Sequence, residues 1–396
     1  MEFRPIVSAL RFHKTSFVLV VAQIAITLAI IVNAAFISKY LIVKVNRPTG
    51  MDIDNIIVTE VRGFGAAFDT IASMKDDMRA IRAIPGVIAA TVTNHVPLSG
   101  SGSGTGLRSV PDETAVSVPT ARYQMSEWGV DSLGAELIEG RSFYAEEIEY
   151  GQSRADSVIV TKALADKLYP EGDALGKPVY WTSLRPATIV GIIGHMQGAW
   201  TDWDHLNHVV IHPGVPIGDS NRYLIRTLPG ERDRLLAEIE EKLAETPNRV
   251  IKSVRTHRDI VDRTYHTDKL MVGILVIVSL LLVILICLVI VGLVSYFVTE
   301  RTRQIGTRRA LGATRFDILR YFLMENWIIT TTGAVLGSFL TVLISYVMET
   351  SLSLPRLDST YLLISILVLW VISQAAAWFP ARQATMVSPA IATRSV

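Results

Sequence analysis

Between Leu270 and Val298 the chain reads LMVGILVIVSLLLVILICLVIVGLVSYFV, an apolar run without one charged residue. A helix needs about 20 such residues to cross bilayer hydrocarbon, and uninterrupted runs of this length point to a membrane span. Three further runs accompany it: Phe17 to Ile37, again without a charge; Tyr321 to Met348, apolar except for Glu325 and small polar residues; and Tyr361 to Phe379. Four spans are predicted, over 16–40, 268–298, 321–348 and 360–380. Composition agrees. Hydrophobic residues make up 50% and charged residues 19% of the chain, where soluble domains carry about 25% charged residues. The 38 basic and 37 acidic residues leave a net charge of +1, so no bulk basic field suggests a nucleic-acid partner. The single cysteine, Cys287, excludes a disulfide within the chain and a cysteine-based zinc site.

Basic residues set the expected orientation. Arg4, Arg11 and Lys14 precede the first span. Arg301, Arg303, Arg308, Arg309, Arg315 and Arg320 follow the second, and Arg382 and Arg394 follow the fourth. The loop at 349–359 carries only Arg356, beside Glu349 and Asp358. Residues 1–15, 299–320 and 381–396 are therefore expected in the cytoplasm, with the short loop and the long segment 41–267 outside. The first run exceeds the 7–15 apolar residues of a cleaved signal peptide, so it is read as a retained span.

The outside segment reads as α+β. Ile71, Met74, Met78, Ile81 and Ile84 recur at helical spacing before Pro85-Gly86, and a strand is expected from Val87 to Thr93. Leu235, Leu236, Ile239 and Leu243 repeat the pattern before a strand at Val250 to Val254. These end segments, about 45–98 and 220–265, are assigned to one subdomain. A strand-rich second subdomain is expected over about 107–219, with short strands at Ser157–Val160, Val179–Trp181, Ala187–Ile193 and Val209–Ile211. Between them, Ser99 to Gly106 alternates small residues with glycine, the pattern of a flexible loop. It lacks the strand-before, helix-after context of a phosphate cradle.

Candidate chemical sites are weak. His205, His208 and His212 lie near Asp202 and Asp204 and form the one metal candidate, but without a zinc-protease spacing. The expected reading is a polar loop leading into an edge strand, and no metal. Glu146, Glu147 and Glu149 lack calcium-loop spacing. No Walker A pattern occurs, and Gly172 to Pro178 has the wrong spacing for one. The chain is expected to bind no cofactor and to carry no catalytic residue. Gly333 and Gly337 form a small-xxx-small stripe suited to helix packing, either within the chain or between two copies. Glu325, a carboxylate inside an apolar run, is expected in an ion pair with Arg320, Arg382 or a partner.

The most specific stretch is Glu300-Arg301-Thr302-Arg303-Gln304-Ile305-Gly306-Thr307-Arg308-Arg309-Ala310-Leu311-Gly312-Ala313-Thr314. Gly312 is placed to end a short helix. Thr314 and Asp317 are placed as a capping box for the next one. Ile305, Leu311 and Ile318 are expected to pack, leaving the arginines to meet headgroups or an acidic partner.

This stretch resembles the MacB/FtsX-type permeases of ABC transporters, which share its Glu-Arg-Thr-x-x-Ile-Gly-x-x-x-Ala-Leu-Gly-Ala order. Weaker likenesses run through Gly140-Arg141-Ser142-Phe143, Val158 to Pro170, Leu175-Gly176-Lys177, Val190 to Gly194, Pro380 to Ala384, and Pro389-Ala390 with Arg394. The resemblance implies an integral membrane α-helical permease with four transmembrane helices and a large extracytoplasmic α+β domain of two subdomains. It implies a bacterial inner-membrane location, pairing with a second permease as homodimer or heterodimer, and docking of a cytoplasmic ABC ATPase through Glu300 to Thr314. ATP and Mg would sit on that ATPase, expected as a separate chain because the ATPase fused in MacB is absent here. In such systems the helices pass ATPase motion to the outside domains, which is termed mechanotransmission. Efflux with a periplasmic adaptor and an outer-membrane duct is the leading expectation. The alternatives are an FtsX-like scaffold for a cell-wall hydrolase, a lipoprotein-extraction permease and, from the histidines alone, a membrane-anchored metalloenzyme.

Overall fold

The computed structural model describes residues 14–386, except 67, 152–155, 219, 353 and 354. Arg4, Arg11, Pro389, Ala390 and Arg394, which enter the orientation and likeness arguments, lie outside the described residues. The chain divides into two compact units: the first helix together with the chain from Thr267 onward, and the inserted segment Arg47–His266.

Helix α1 (Lys14–Val45) leads into the inserted unit. There the ends of the segment build a four-stranded sheet. β1 (Ile56–Gly63), α2 (Thr70–Arg82) and β2 (Val87–Thr93) come from the first end. The second end supplies β10 (Asn221–Thr227), α5 (Arg232–Ala244), β11 (Arg249–Thr256) and the short helix α6 (His257–Thr264). The strand order β11-β1-β10-β2, antiparallel throughout, is that of two interleaved β-α-β units. Asp69 caps α2 by accepting from the Ala72 amide at 3.0 Å. Gly86 (φ +101°) turns the chain after that helix. Met74, Met78 and Ile81 of α2 meet Leu235, Ile239 and Leu243 of α5 over the sheet. Burial of each such side chain contributes about 1.5–3 kcal/mol. Asp77 is buried as well. It accepts from Arg249 Nη1 at 2.6 and 2.8 Å and from the Tyr223 hydroxyl at 2.7 Å, tying α2 to two strands.

The middle of the segment supplies β3 (Gly104–Arg108), β4 (Val118–Met125), α3 (Gly129–Leu133), β5 (Leu137–Gly140), β6 (Ser157–Thr161), α4 (Lys162–Leu168), β7 (Pro178–Trp181), β8 (Pro186–Ile193) and β9 (Val209–Pro213). Neighbour pairing runs β4-β3-β7-β8-β6-β9, and β9 returns to pair in parallel with β4, so these six strands close on themselves. Two expectations are corrected here. β9 is no edge strand: all five of its residues are buried between β4 and β6. The end of the glycine run is strand β3, because Gly104 to Leu107 find backbone partners in Val118 to Ala121 of β4. The two groups of strands are hydrogen-bonded into one sheet. β2 joins β4 through Thr93 and Met125, and one core runs from Ile56 and Val58 of β1 to Ala121, Tyr123 and Ile211.

Two buried histidines, His212 and His257, predict a loss of stability of this unit in acid. Burial, with Arg122 nearby, pushes His212 down to about 4. Burial likewise pushes His257 down to about 4, although its Nε2 is 2.8 Å from the Pro97 carbonyl. An unfolded histidine titrates near 6.5, so below that pH the unfolded chain binds more protons. Stability from the neutral buried rings is complete above about pH 6.5 and falls as pH drops towards 4. Melting followed by tryptophan fluorescence is expected to be flat from pH 8 to 7 and to fall from pH 6.5 to 4.5. A profile flat to pH 4.5 would contradict the buried neutral rings.

The helical unit is completed by α7 (His266–Glu300), α8 (Thr302–Ala310), α9 (Arg315–Leu352) and α10 (Ser359–Ala384). Among the described residues, α1, α7, α9 and α10 are the four helices long and apolar enough to cross a membrane. Each continues beyond its apolar run; α10 carries Pro380 inside its last turns and ends at Ala384. α9 packs along α1 through the glycine stripe. A Cβ on Gly333 would lie 2.5 Å from Ile24 Cγ2, and one on Gly337 2.9 Å from the Ala25 carbonyl oxygen. The stripe thus serves packing within the chain. Gly333→Val is expected to cost about 1–3 kcal/mol by forcing the two helices apart. An unchanged melting temperature of the purified variant would refute this close approach.

Candidate functional site

The site expected from sequence is the segment between α7 and α9. α8 ends in a Schellman motif. The Ala313 amide donates to the Arg308 carbonyl at 3.0 Å, the Gly312 amide to the Arg309 carbonyl at 3.2 Å, and Gly312 holds φ +100°. A capping box then starts α9. Thr314 donates through its amide (2.9 Å) and hydroxyl (2.6 Å) to Asp317 Oδ2, and the Asp317 amide donates to Thr314 Oγ1 at 3.2 Å. Local chemistry therefore sets both ends of the turn.

Three contacts fix α8 to the bundle. Ile305 and Gly306 are buried, with Ile305 packed in the apolar core that also holds Phe297, Ile318 and Phe322. Arg309 Nη1 donates to the Thr385 carbonyl at 3.0 Å, at the end of α10. Arg301 is buried at the α7–α8 junction, where its Nη1 donates to both Glu325 oxygens at 3.1 and 3.0 Å and to the Tyr321 hydroxyl at 3.3 Å. Its guanidinium also lies 4.8 Å from the centre of the Phe297 ring. Glu325 is thus paired with Arg301, a partner the sequence reading did not name. Arg308 lies over Tyr321 at 5.0 Å, so α8 and α9 also meet through a cation–π contact.

What remains outward is selective. Leu311 is 84% and Phe316 67% exposed, two apolar side chains on either side of the glycine turn. Leu311 was expected to pack with Ile305 and Ile318; only the latter two do so, because Leu311 caps α8 and projects beyond it. Arg303, Arg308, Arg315 and Arg320 are exposed around this pair, as are Ala310 and Thr314. Glu300 is exposed, and Ala313 packs partly against the core. Two exposed apolar side chains on a segment with exposed arginines suit an acidic partner that offers an apolar surface.

Other predicted residues lie elsewhere. His205 and His208 stack at 5.1 Å, whereas His212 is buried edge-on to Trp181 at 5.8 Å. The three are not brought together, and among the described residues no group of three His, Cys, Asp or Glu side chains could hold a metal ion. Sequence reasoning missed Tyr321 and Phe316 in the site. It also missed a polar relay inside the bundle, where Asn326 Nδ2 donates to Ser373 Oγ at 3.0 Å and Thr330 Oγ1 lies 2.6 Å from the same atom. The Glu325-Asn326 pair in an apolar run was the available signal.

Comparison with known proteins accounts for most of the chain. The model of the MacB-like periplasmic core domain matches residues 18–242, and that of the FtsX-like permease C-terminal region matches 276–389. The macrolide export ATP-binding/permease protein MacB of Neisseria gonorrhoeae is 27% identical over 359 residues, 87% of this chain and 53% of that protein. The protein of the same name from Shigella boydii is 25% identical over 283 residues, 65% of this chain and 40% of its own length. The chain thus spans about half the length, or less, of these curated relatives. Among solved structures, the periplasmic region of MacB from Actinobacillus actinomycetemcomitans is similar over 53% of this chain and 92% of its own, with 14% identity and a TM-score of 0.33. With the core-domain model covering more than half of its length, the chain belongs to the MacB/FtsX-type permease family of ABC transporters.

Proposed function

We propose that this chain is the permease of an ABC transporter and converts ATP hydrolysis on a cytoplasmic ABC ATPase into motion of its periplasmic domain. The observation that carries the reading is the outward pair Leu311 and Phe316 on a segment clamped to α7, α9 and α10. A push on α8 reaches α7 through covalent continuity and α9 through the Arg301–Glu325 pair. α7 spans 35 residues, about 50 Å at 1.5 Å per residue. Few of its residues are buried: Ile286, Ile290, Val294 and Phe297. Its remaining apolar surface suits lipid and a second permease, so a dimer is part of the proposal. At its other end Asp268 pairs with the buried Lys44 of α1 at 2.7 Å, which lets the two helices move together. ATP and Mg belong to the ABC ATPase that α8 would dock. The arginine distribution favours cytoplasmic termini in a bacterial inner membrane. Efflux with a periplasmic adaptor and outer-membrane duct is proposed from the export named for the Neisseria relative.

The test is purification of the tagged chain in detergent, expressed with its genomic neighbours, and identification of what accompanies it by mass spectrometry. An ABC ATPase with a periplasmic adaptor is the expected result. An ATPase with a peptidoglycan hydrolase or a lipoprotein carrier would replace efflux by scaffolding or extraction. An intact permease with no ATPase would overturn the coupling itself.

A further inference from the structure

The inserted unit contains a cavity of about 510 Å³ between α2, Val92 of β2 and the loop residues Ser126, Glu127, Ile148, Tyr150 and Val215. This lies within the 300–1,000 Å³ typical of small-molecule sites. Its wall is apolar: Met74, Met78, Val92 and Val215 line it and are themselves buried. Two methionines give the wall a shape that adapts to different apolar bodies. The rim is cationic. Lys75, Arg79 and Arg82 recur at i, i+4 and i+7 on α2, which brings them to one side of that helix, and all three line the cavity.

The state of these cations points to the missing partner. Arg79 shares its charge with Asp76 outside the cavity, at 3.1 Å. Arg82 donates Nε and Nη2 to the Ala90 carbonyl at 3.0 and 2.7 Å and stands 4.9 Å from the Trp128 ring, but no carboxylate lies within 4.0 Å of it among the described residues. Among the described residues, Lys75 meets the face of Tyr150, at 4.6 Å. One carboxylate, Glu127, also lines the cavity and makes no ion pair there. The half-buried Arg82 guanidinium and the exposed Lys75 ammonium outweigh Glu127, the carboxylate that lines the cavity and acts on Arg82 from a distance, so the rim keeps net positive charge, which favours an anion with an apolar body.

We propose that this cavity is a binding site for an amphipathic organic anion, its acidic head between Lys75 and Arg82 and its apolar part against Met74 and Met78. An amphipathic cation would meet an excess of positive charge at the same rim. The site is independent of ATPase docking, because it lies wholly within the inserted unit.

The test uses the full chain in lipid nanodiscs, with empty nanodiscs as the blank, titrated calorimetrically with octyl phosphate, octyltrimethylammonium and inorganic phosphate. Saturable binding of octyl phosphate alone is expected. Lys75→Gln should weaken it about tenfold or more, the loss of one hydrogen bond to a charged group; Glu127→Gln should tighten it. Lys75 is exposed, so its variant is expected to fold, and an unchanged melting temperature checks this. Equal binding of the ammonium probe, equal binding of inorganic phosphate, or octyl phosphate binding indifferent to both substitutions would each overturn the proposal.

Discussion

Leu311→Asp combined with Phe316→Asp is expected to leave the permease inserted and folded while abolishing its association with the ABC ATPase. Both side chains are largely exposed, at 84% and 67%, so their loss removes almost no internal packing. Surface substitutions of this kind usually change stability by about 0.5 kcal/mol or less. At a docked interface the same residues would be central. Truncation of an anchoring side chain at a binding hot spot costs 2 kcal/mol or more, about thirtyfold or more in affinity. Aspartate adds repulsion from an acidic partner. Arg308→Glu should act in the same direction but carries a second effect, because Arg308 also stacks on Tyr321. The measurement is recovery of the ATPase on the tagged permease, with melting temperature as the folding control. Recovery at the wild-type level would remove Leu311 and Phe316 from the interface and with them the mechanical reading of α8.

The parts of this arrangement legible in the sequence are those set by near neighbours. Apolar runs declare the four long helices, though not their ends, which extend past each run. Gly312, Thr314 and Asp317 declare a turn because helix ends are satisfied locally. What was not legible depends on pairing across distance. β4 contains Pro119, Arg122 and Gln124 and carries no clean alternation, yet it is central because β9, more than 80 residues later, closes against it. Leu311 looked like a packing residue by type, and only the C-cap geometry turns it outward. The partner of Glu325 was within reach of a simple rule. Arg320 stands five positions earlier on the same helix, about 140° round it, so it faces away. Arg301, 24 positions earlier, returns to the right face because α8 and the glycine turn reverse the chain.

The Arg301–Glu325 pair gives the second large effect. Both groups are nearly dry, with side chains 10% and 2% exposed, and they join α7 and α8 to α9. Removing one partner leaves the other buried and uncompensated, which typically costs 3–5 kcal/mol. Glu325→Ala and Arg301→Ala are therefore each expected to destabilise the bundle strongly. The combination Arg301→Met with Glu325→Leu is expected to recover most of that loss, because apolar side chains of similar volume need no partner. Unfolding of each variant in mixed micelles, arranged as a double-mutant cycle, measures the coupling. Additive losses would mean that the two groups are solvated independently. A second readout separates a clamp from a mere stabiliser. If the pair holds α8 in register with α9, the apolar double variant should be stable yet bind the ATPase without transmitting its cycle to the periplasmic domain. That follows because packing replaces the lost energy but not the directed hydrogen bonds from Arg301 Nη1 to Glu325 that resist sliding of one helix past the other.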